Sequence, residues 1–362
     1  MINRVVKNQI RVVCAMSGGV DSAVSAALLV RAGFEVIGVF MKFWANKEDS
    51  GVCLPQNRCC SEESEQRARK TALQLGIPFY VLDVRDEFKK IVVDRFIADT
   101  KKGLTPNPCV VCNQEIKFGL LIEKARAMGG EFVATGHYAQ IKKTKDGIYH
   151  LLKGKDKAKD QSYFLWRLNQ KQLSRVIFPV GCFEKSAVRQ LAKKWKLPSA
   201  ATPESQEVCF ASRDMDKFLE KYCGTKPGNI VDNEGNIIGQ HNGLWFYTIG
   251  QRKGIKLSGG PFYVARKERR SNRLIVCSSA KESVMDTARL DSVVWRAPGR
   301  PLLPFETKVR IRYRSKEARA VISKSGRQYI LKFSKPQFAV TPGQSAVFYR
   351  GQELLGGGII KA

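Results

Sequence analysis

The chain has 362 residues, of which 43% are hydrophobic and 26% charged, as in an ordinary globular protein of two or three domains. Its longest apolar stretch, residues 23–30, is far shorter than the roughly 20 residues of a membrane-spanning helix. The N-terminus shows no apolar signal sequence, so we expect a cytoplasmic protein without a membrane partner. A net charge of +29 predicts a polyanionic partner such as nucleic acid, with a generally basic surface as the alternative.

Strand and helix patterns alternate along the first part of the chain. The predicted strands cover residues 11–16, 35–44, 78–84 and 131–139, and the predicted helices cover 23–31, 64–75, 86–102 and 114–128. This βαβα alternation predicts an α/β fold, a Rossmann-like doubly wound parallel sheet. Ligands of such sheets bind at the carboxyl ends of the strands.

From about residue 217 the pattern changes to short strands separated by turns. Hairpin turns are predicted at residues 233–236 and 268–272. After a Pro-rich joint, short strands recur to the end, which predicts a C-terminal β-barrel-like domain. The expected domains are a catalytic domain at 1–215, a small linking domain at 216–285 and the β-barrel at 286–362, the most basic part of the chain per residue.

The segment Ser17–Ser22, SGGVDS, lies between the first predicted strand and helix. Its two glycines permit a tight turn that points N–H groups toward a phosphate, at the positive end of the helix. Asp21 is a candidate for holding Mg²⁺ or for capping the helix. A Gly-Lys-Ser/Thr sequence is missing, so this is not the loop of γ-phosphate transfer. From the residues alone, a tight turn with a polar cap is the alternative.

Ten cysteines without an export signal predict reactive thiols or metal ligands rather than a disulfide framework. Cys112 stands near the start of a predicted helix, where the dipole lowers the pKa of a thiol. Cys209 lies in a second predicted loop. Cys53, Cys59 and Cys60 fit no common zinc pattern.

The motif SGGVDS resembles the phosphate loop of the PP-loop (adenine-nucleotide α-hydrolase) superfamily, whose members adenylate a substrate oxygen with ATP. Other motifs resemble one of its families, the bacterial tRNA-specific 2-thiouridylases. They are AMSGGVDS, CCSEES, LTPNPCVVCNQEIKFG, ATGHYA, KDQSYFLW, SQEVCF, YTIGQRKGI and TPGQS. The resemblance implies a sulfurtransferase that uses ATP and Mg²⁺ to activate the C2 oxygen of the wobble uridine of tRNA. A cysteine persulfide, loaded by an upstream persulfide donor, then delivers sulfur with release of AMP. Sulfide is the alternative sulfur source, bound and delivered by an iron–sulfur cluster.

The same resemblance implies roles for individual residues. Cys209 matches the cysteine that carries the persulfide, and Cys112 matches its partner nucleophile, with a Cys112–Cys209 disulfide as the implied product. The matched ATP contacts are Ala15, Met16, Ser17, Gly18, Gly19, Val20, Asp21, Ser22, Met41 and Gly136. The matched tRNA contacts are Asn107, Pro108 and Cys109 at the target base, with His137, Lys159, Asp160, Gln161, Arg312, Tyr313 and Gln344.

Cys109 departs from the family pattern, in which an Asp stands at this position. The change creates a Cys-x-x-Cys pair with Cys112. With Cys209 as a third thiolate, the pair suits a 4Fe–4S cluster that has one open iron site. A redox pair and half of a zinc site are further alternatives. Persulfide transfer and cluster-mediated transfer therefore both remain open.

Basic residues also alternate with apolar ones in a predicted barrel strand, at Lys308, Arg310, Arg312 and Arg314. A strand of this period presents its cations on one face, as an RNA backbone requires, and a solvated outer face is the alternative. Residues 266–273 are expected to form a solvated hairpin tip. The rival functions are a PP-loop ligase for a small molecule and a non-catalytic RNA-binding protein.

Overall fold

The computed structural model describes residues 10–45, 61–203, 208–211, 214–296 and 301–361. Cys53, Cys59 and Cys60 lie outside these ranges. Within them, none of the helices combines the length and the apolar character that crossing a membrane requires.

A five-stranded parallel sheet forms the N-terminal part of the molecule. Its strands are β1 (Arg11–Ala15), β2 (Glu35–Lys42), β3 (Phe79–Asp83), β4 (Phe132–Ala134) and β7 (Val176–Ile177), in the order β3-β2-β1-β4-β7. Every neighbouring pair is parallel. The two central strands read as apolar runs because helices cover both faces of the sheet. The predicted Rossmann-like sheet is confirmed.

Seven helices connect or flank these strands within the described residues. They are α1 (Val20–Arg31), α2 (Glu62–Leu75), α3 (Arg85–Phe88, Lys89–Val93 and Asp94–Lys101 in succession), α4 (Pro108–Val111, Cys112–Leu120 and Leu121–Ala127 in succession), α5 (Gln170–Leu173), α6 (Lys185–Lys194) and α7 (Met215–Cys223). The middle segments of α3 and α4 are wound as π-helix, a form found often at functional sites. The predicted start of α4 at Gln114 is wrong. The helix begins at Pro108, because proline is tolerated in a first turn, where its missing N–H would have no helical partner.

The linking part contains a four-stranded sheet. Its strands are β8 (Gly228–Val231), β9 (Ile237–His241), β10 (Tyr263–Glu268) and β11 (Arg273–Cys277), in the order β10-β11-β8-β9. Antiparallel pairing of β8 with β9 and of β10 with β11 confirms both predicted hairpin turns. In the first turn the Asp232 carboxylate accepts hydrogen bonds from the backbone N–H groups of Glu234 and Asn236.

The C-terminal part is a closed barrel of six strands. They are β12 (Val284–Trp295), β13 (Phe305–Arg310), β14 (Ala318–Ser325), β15 (Gln328–Phe338), β16 (Ser345–Arg350) and β17 (Glu353–Ile360), and pairing of β12 with β17 closes the sheet. Closure leaves no sheet edge among these strands to pair with other chains. The predicted β-barrel is confirmed.

A hairpin from the N-terminal part of the chain extends the barrel's sheet. Its strands are β5 (Ala139–Lys143) and β6 (Tyr149–Lys153), and β6 pairs with β17. Hydrogen bonds therefore tie the segment that follows β4 directly to the C-terminal barrel. This pairing is one of the contacts that join the parallel-sheet part of the chain to its most basic part.

Candidate active site

The phosphate loop closes on itself at the carboxyl end of β1. The backbone N–H of Ser17 donates to Ser22 Oγ over 3.2 Å, and Ser22 Oγ donates to the Gly19 carbonyl over 3.0 Å. Gly18 has a φ of +74°, and a Cβ on it would lie 2.2 Å from the Ser64 carbonyl oxygen. Only glycine fits there, so the loop can pack closely against α2 at the N-terminus of the twelve-residue helix α1.

A cavity of about 190 Å³ lies at this loop, where β1, β2 and β4 end. Gly136 forms one wall, and a Cβ on it would lie 2.8 Å from the Ser22 backbone nitrogen. Seven of the predicted ATP contacts line the cavity: Ala15, Met16, Ser17, Asp21, Ser22, Met41 and Gly136. Gly18 and Gly19 shape the loop, and Val20 is buried in an apolar cluster behind it.

Residues that the sequence reasoning missed complete the cavity: Val39, Phe43, Lys117 and Thr135. Lys117 lies on the π-helical segment of α4, five positions after Cys112. Lys117 is the only cation in the motif LTPNPCVVCNQEIKFG, and its position in that motif could have identified it as a candidate site residue. His137 and Gln161, predicted as tRNA contacts, line the same cavity.

Asp21 does not cap its helix by a side-chain bond but forms an ion pair across the site. Lys185 Nζ lies 2.7 Å from both carboxylate oxygens, and the Tyr138 hydroxyl donates to Oδ1 over 2.7 Å. Asp21 is the one carboxylate among the described lining residues. Mg²⁺ usually takes one or two carboxylates together with phosphate oxygens. This site therefore fits Mg²⁺ only if the nucleotide phosphates supply most of its ligands.

His137 is held as a neutral imidazole. Its Nδ1 lies 2.7 Å from Thr135 Oγ1, and its ring packs against Phe118 and Phe178. Burial in this aromatic setting, together with the nearby positive charge of Lys117, lowers the pKa of His137 well below its usual value. The ring can therefore accept or donate a hydrogen bond at pH 7 without carrying a charge.

Cys112 and Cys209 contact the same apolar cluster. Cys112 is 7% exposed and belongs to the cluster, while Cys209 is half-buried and packs against it. The neighbouring Phe210 anchors the Cys209 segment, with its ring centroid 5.3 Å from that of Phe96. The two cysteines, 97 positions apart, thus share one apolar cluster, which extends from Val13 in the parallel sheet to Leu354 in the barrel. Both lie in the described part of the chain, and no disulfide joins them.

Cys112 is the fifth residue of α4, near the start of the helix. Cys109, which is exposed, occupies the first turn, where the helix dipole acts most strongly. Across the described ranges, which include Cys109, Cys112 and Cys209, no three His, Cys, Asp or Glu side chains are arranged to hold a metal ion.

A second cavity, of about 80 Å³, lies beside the predicted base-contact triplet. Asn107 and Pro108 line it together with Arg95 and Arg167. Burial and the neighbouring charge of Arg95 lower the pKa of the Arg167 guanidinium. Asp99 also lines the cavity and forms an ion pair with Arg95 over 3.9 Å, so Arg167 is the cation beside Asn107 that remains available to a phosphate.

Asp160 is a structural residue and not an accessible tRNA contact. Its carboxylate is 1% exposed and accepts a hydrogen bond from Arg310 Nη1 over 2.8 Å. It also accepts from the backbone N–H groups of Gly154 and Ser162. Because a buried charge stays buried only when it is paired and hydrogen-bonded, this carboxylate fixes the 159–161 loop against the barrel.

The predicted row of four phosphate-binding cations on one strand is also wrong. The strand β13 ends at Arg310, whose side chain pairs with Asp160 and Glu317. The Arg312 guanidinium turns inward and donates to the Ile249 carbonyl and to Thr341 Oγ1. The period-two pattern does describe Val309 and Ile311, which are buried in the barrel. Arg312 bridges the linking part and the barrel.

The remaining predicted tRNA contacts lie where the barrel meets the N-terminal part. Gln344 Nε2 donates to the Thr105 carbonyl over 2.7 Å, beside the base-contact triplet. The Tyr313 ring lies 4.4 Å from that of Phe164, between centroids. Lys159 is half-buried in the loop that Asp160 fixes.

Comparison with known proteins matches the chain along its length. Family models described as "tRNA methyl transferase HUP domain", "tRNA methyl transferase PRC-barrel domain" and "Aminomethyltransferase beta-barrel domain" match residues 10–213, 216–278 and 285–360. The tRNA-specific 2-thiouridylase MnmA of Carboxydothermus hydrogenoformans is 43% identical, with 97% of each chain covered. Its counterpart in Chloroflexus aurantiacus is 45% identical, with 96% of this chain and 98% of the relative covered. That of Streptococcus sanguinis is 40% identical, over 98% and 95%.

Near-complete coverage at these identities agrees with the geometry of the site. A phosphate loop at the end of β1, a cysteine on α4 and a second cysteine on the same apolar cluster all lie in the first matched segment. The chain belongs to the tRNA-specific 2-thiouridylase (MnmA) family.

Proposed function

We propose that this protein is an ATP-dependent tRNA 2-thiouridylase. It replaces the C2 oxygen of the wobble uridine with sulfur, with Cys209 as the persulfide carrier and Cys112 as its partner nucleophile. Residues 1–215 carry the chemistry, while residues 216–285 and 286–362 contribute the tRNA-binding surface. The observation that carries the proposal is the full-length match to relatives named for this activity.

The cavity at the phosphate loop supports the use of ATP. Backbone N–H groups at the start of α1 and the hydroxyls of Ser17 and Ser22 are available to the phosphates. Lys117 adds a positive charge at the same cavity. Binding the phosphates in this way stabilises the negative charge that develops when the uridine oxygen attacks the α-phosphate and pyrophosphate leaves.

Sulfur transfer then needs two thiols. The terminal sulfur of the Cys209 persulfide attacks C2 of the adenylated uridine, and the C2–O bond breaks as AMP leaves. The Cys112 thiolate attacks Cys209 Sγ, which breaks the S–S bond, releases the thiolated base and forms a Cys112–Cys209 disulfide. A dithiol reductant reopens the disulfide, and a persulfide donor reloads Cys209. Contact of both cysteines with one apolar cluster supports their action in the same reaction, and the division of roles follows the family motifs that they match.

The test separates activation from sulfur transfer. Unmodified tRNA, ATP and a persulfide donor are mixed with the protein, and both pyrophosphate release and 2-thiouridine are measured. We expect tRNA-dependent pyrophosphate release from the wild type and from Cys112→Ser and Cys209→Ser. Both variants should form at least about 100-fold less 2-thiouridine, because the thiol is the nucleophile of a covalent step.

Cys223→Ser is the matched control, because Cys223 is half-buried and packs against the same apolar cluster. It should thiolate tRNA at the wild-type rate. Full thiolation by Cys209→Ser would refute the persulfide assignment. Pyrophosphate release that does not depend on tRNA would refute the proposal that tRNA is the substrate, and it would favour a PP-loop ligase that acts on a small molecule.

A further inference from the structure

A further cavity is lined mainly by residues far from the phosphate loop in the sequence, and its lining side chains are of different types. It encloses about 570 Å³ at the place where three segments of the molecule meet. One wall is the loop 102–105, which follows α3 and leads to Asn107. The second wall comes from β10 and its turn, and the third from the barrel strand β12 and the loop 340–342. We call it the junction cavity.

The junction cavity is strongly basic. Six cations line it against one carboxylate, that of Glu282: Lys102, Arg266, Lys267, Arg269, Arg289 and Lys361. Glu282 is occupied, because it accepts hydrogen bonds from Asn233 Nδ2 and from the Ser279 backbone N–H. Lys102 and Arg266 have carboxylate partners. The other four form no ion pair with any residue that the structure describes.

Lys267 and Arg269 line the junction cavity at positions where a bound anion would stabilise their positive charges. Lys267 is half-buried, and burial lowers its pKa to about 8, so its charge is partly removed from water without a counter-charge. Arg269 packs against the backbone at Gly103, with its Cδ 2.9 Å from where a Cβ on Gly103 would lie. Loss of water from a cation is compensated best by a ligand of opposite charge.

Apolar side chains lie among these cations. Val284 and Met285 are 41% and 49% exposed, and Ile249 and Ile360 line the cavity behind them. A free inorganic anion has no apolar atoms that could pack against these side chains. In a sugar–phosphate chain, the ribose carbons can cover the apolar side chains while the phosphates contact the cations.

Hydrogen bonds hold the walls of the junction cavity together. The Arg312 guanidinium joins Ile249 to Thr341, which belong to different walls. The Thr105 backbone N–H donates to the Pro342 carbonyl over 2.9 Å. Thr105 is two residues from Asn107, so the cavity is continuous along the chain with the predicted base-contact triplet.

We propose that the junction cavity binds the phosphodiester backbone of tRNA next to the target uridine, with Lys267 and Arg269 each contacting a phosphate. The inference rests on the proposed function. It gives residues 266–269, expected to be a solvated hairpin tip, a specific role in placing the substrate. Free pyrophosphate shares the chemistry of this ligand, and the test distinguishes it from RNA.

The experiment compares the full-length wild type with Lys267→Gln/Arg269→Gln. The dissociation constant of unmodified tRNA is measured by fluorescence anisotropy at several salt concentrations. Each lost phosphate contact lowers the slope of log K against log salt by about 0.7–0.9. We expect the slope of the double variant to be smaller by about 1.4–1.8, the sum for two lost contacts, and its binding to be at least tenfold weaker.

The matched control is Lys193→Gln/Lys194→Gln, which removes two exposed cations from the end of α6, outside the cavity. It should keep the wild-type slope. A second variant, Arg269→Gln, changes an exposed residue and should lose about half of the effect if the double variant does not fold.

Two results would overturn the proposal. One is a wild-type slope in the folded double variant; if that variant also loses calorimetric binding of inorganic pyrophosphate, the cavity binds free pyrophosphate instead of RNA. The other is an equal loss of slope in the α6 control. If the wild-type protein thiolates tRNA, either result refutes the proposed role of the junction cavity and leaves the proposed function intact. A wild type that binds tRNA but forms no 2-thiouridine refutes the proposed function instead.

Discussion

The phosphate-loop cavity and the junction cavity are built in opposite ways. The first lies at the ends of three neighbouring strands, and more than half of its lining residues come from residues 15–43. The second collects side chains from residues 102–105 through to residue 361. One is specified by a short motif on a parallel sheet. The other exists only because the loop after α3, the linking sheet and the barrel meet.

The chemistry of the two cavities differs accordingly. In the phosphate-loop cavity, backbone N–H groups and one ion pair define the site, and the single carboxylate is already neutralised by Lys185. In the junction cavity, side-chain cations dominate and most have no counter-charge among the described residues. We therefore expect backbone changes to damage the first and charge changes to damage the second.

The largest expected effect concerns the ion pairs that tie the barrel to the N-terminal part. Arg310→Met should lower the free energy of unfolding by about 3–5 kcal/mol, because the buried Asp160 carboxylate loses its partner charge. Lys308→Met, an exposed change on the same strand, should alter it by less than about 0.5 kcal/mol. Chemical denaturation measures both, and Arg310→Met/Asp160→Asn should recover part of the loss. Unchanged stability with weaker tRNA binding would show instead that Arg310 contacts RNA.

Gly18→Ala tests whether the phosphate loop depends on its backbone. Strain at positive φ and the contact with the Ser64 carbonyl should reduce ATP-dependent pyrophosphate release by about 10–100-fold, as expected for about 1–3 kcal/mol of strain. The control is Gly147→Ala, which has a φ of +83° but nothing within 4 Å of the added Cβ. It should keep full activity. Equal loss in both variants would contradict a specific role of the loop.

The pH dependence of tRNA binding probes the junction cavity. Because burial lowers the pKa of Lys267 to about 8 and an anion binds its charged form, affinity should be highest below pH 8 and fall above it. We expect binding about 3–10-fold weaker at pH 9 than at pH 7, as for the loss of one charged contact. The other charged groups that line the cavity are Lys102, Arg266, Arg269, Arg289, Lys361 and Glu282.

Lys267→Arg isolates this effect, since a guanidinium stays charged throughout that range. Anisotropy titrations should give the variant the same affinity at both pH values. If wild type and variant weaken together, another group titrates and Lys267 is not the phosphate contact.

The smallest effect is expected at Cys109, which lies between the two cavities in sequence. It is exposed in the first turn of α4, and the described side chains do not assemble a metal site around it. Protein purified without oxygen should therefore lack stoichiometric iron and acid-labile sulfide. Cys109→Ser should thiolate tRNA within about twofold of the wild type. Near-stoichiometric iron in the wild type that is lost in Cys109→Ser would show that the cysteines hold a cluster. The assignment of a persulfide to Cys209 would then be withdrawn.

Much of the fold followed from local patterns. The Rossmann-like sheet, both hairpin turns and the C-terminal barrel were predicted because periodicity and turn residues are properties of neighbouring positions. The start of α4 was missed because the prolines before Cys109 were read as loop residues, although proline is compatible with a first turn. The hairpin β5–β6 was missed because its pairing partner, β17, lies about 200 residues away.

The sequence alone determined the phosphate loop, because SGGVDS between a strand and a helix needs only the local backbone to form an anion site. The family motifs in the sequence also singled out Cys112 and Cys209 as the candidate pair of reactive thiols. Only the tertiary structure determined the partners of the charged side chains. Asp160 and Arg310 form a buried ion pair, and the Arg312 guanidinium joins the Ile249 carbonyl to the Thr341 hydroxyl. Residues 266–269 line the junction cavity. A pattern shows which side chains share a face, but the element packed against that face decides whether a charge meets water, another charge or a ligand.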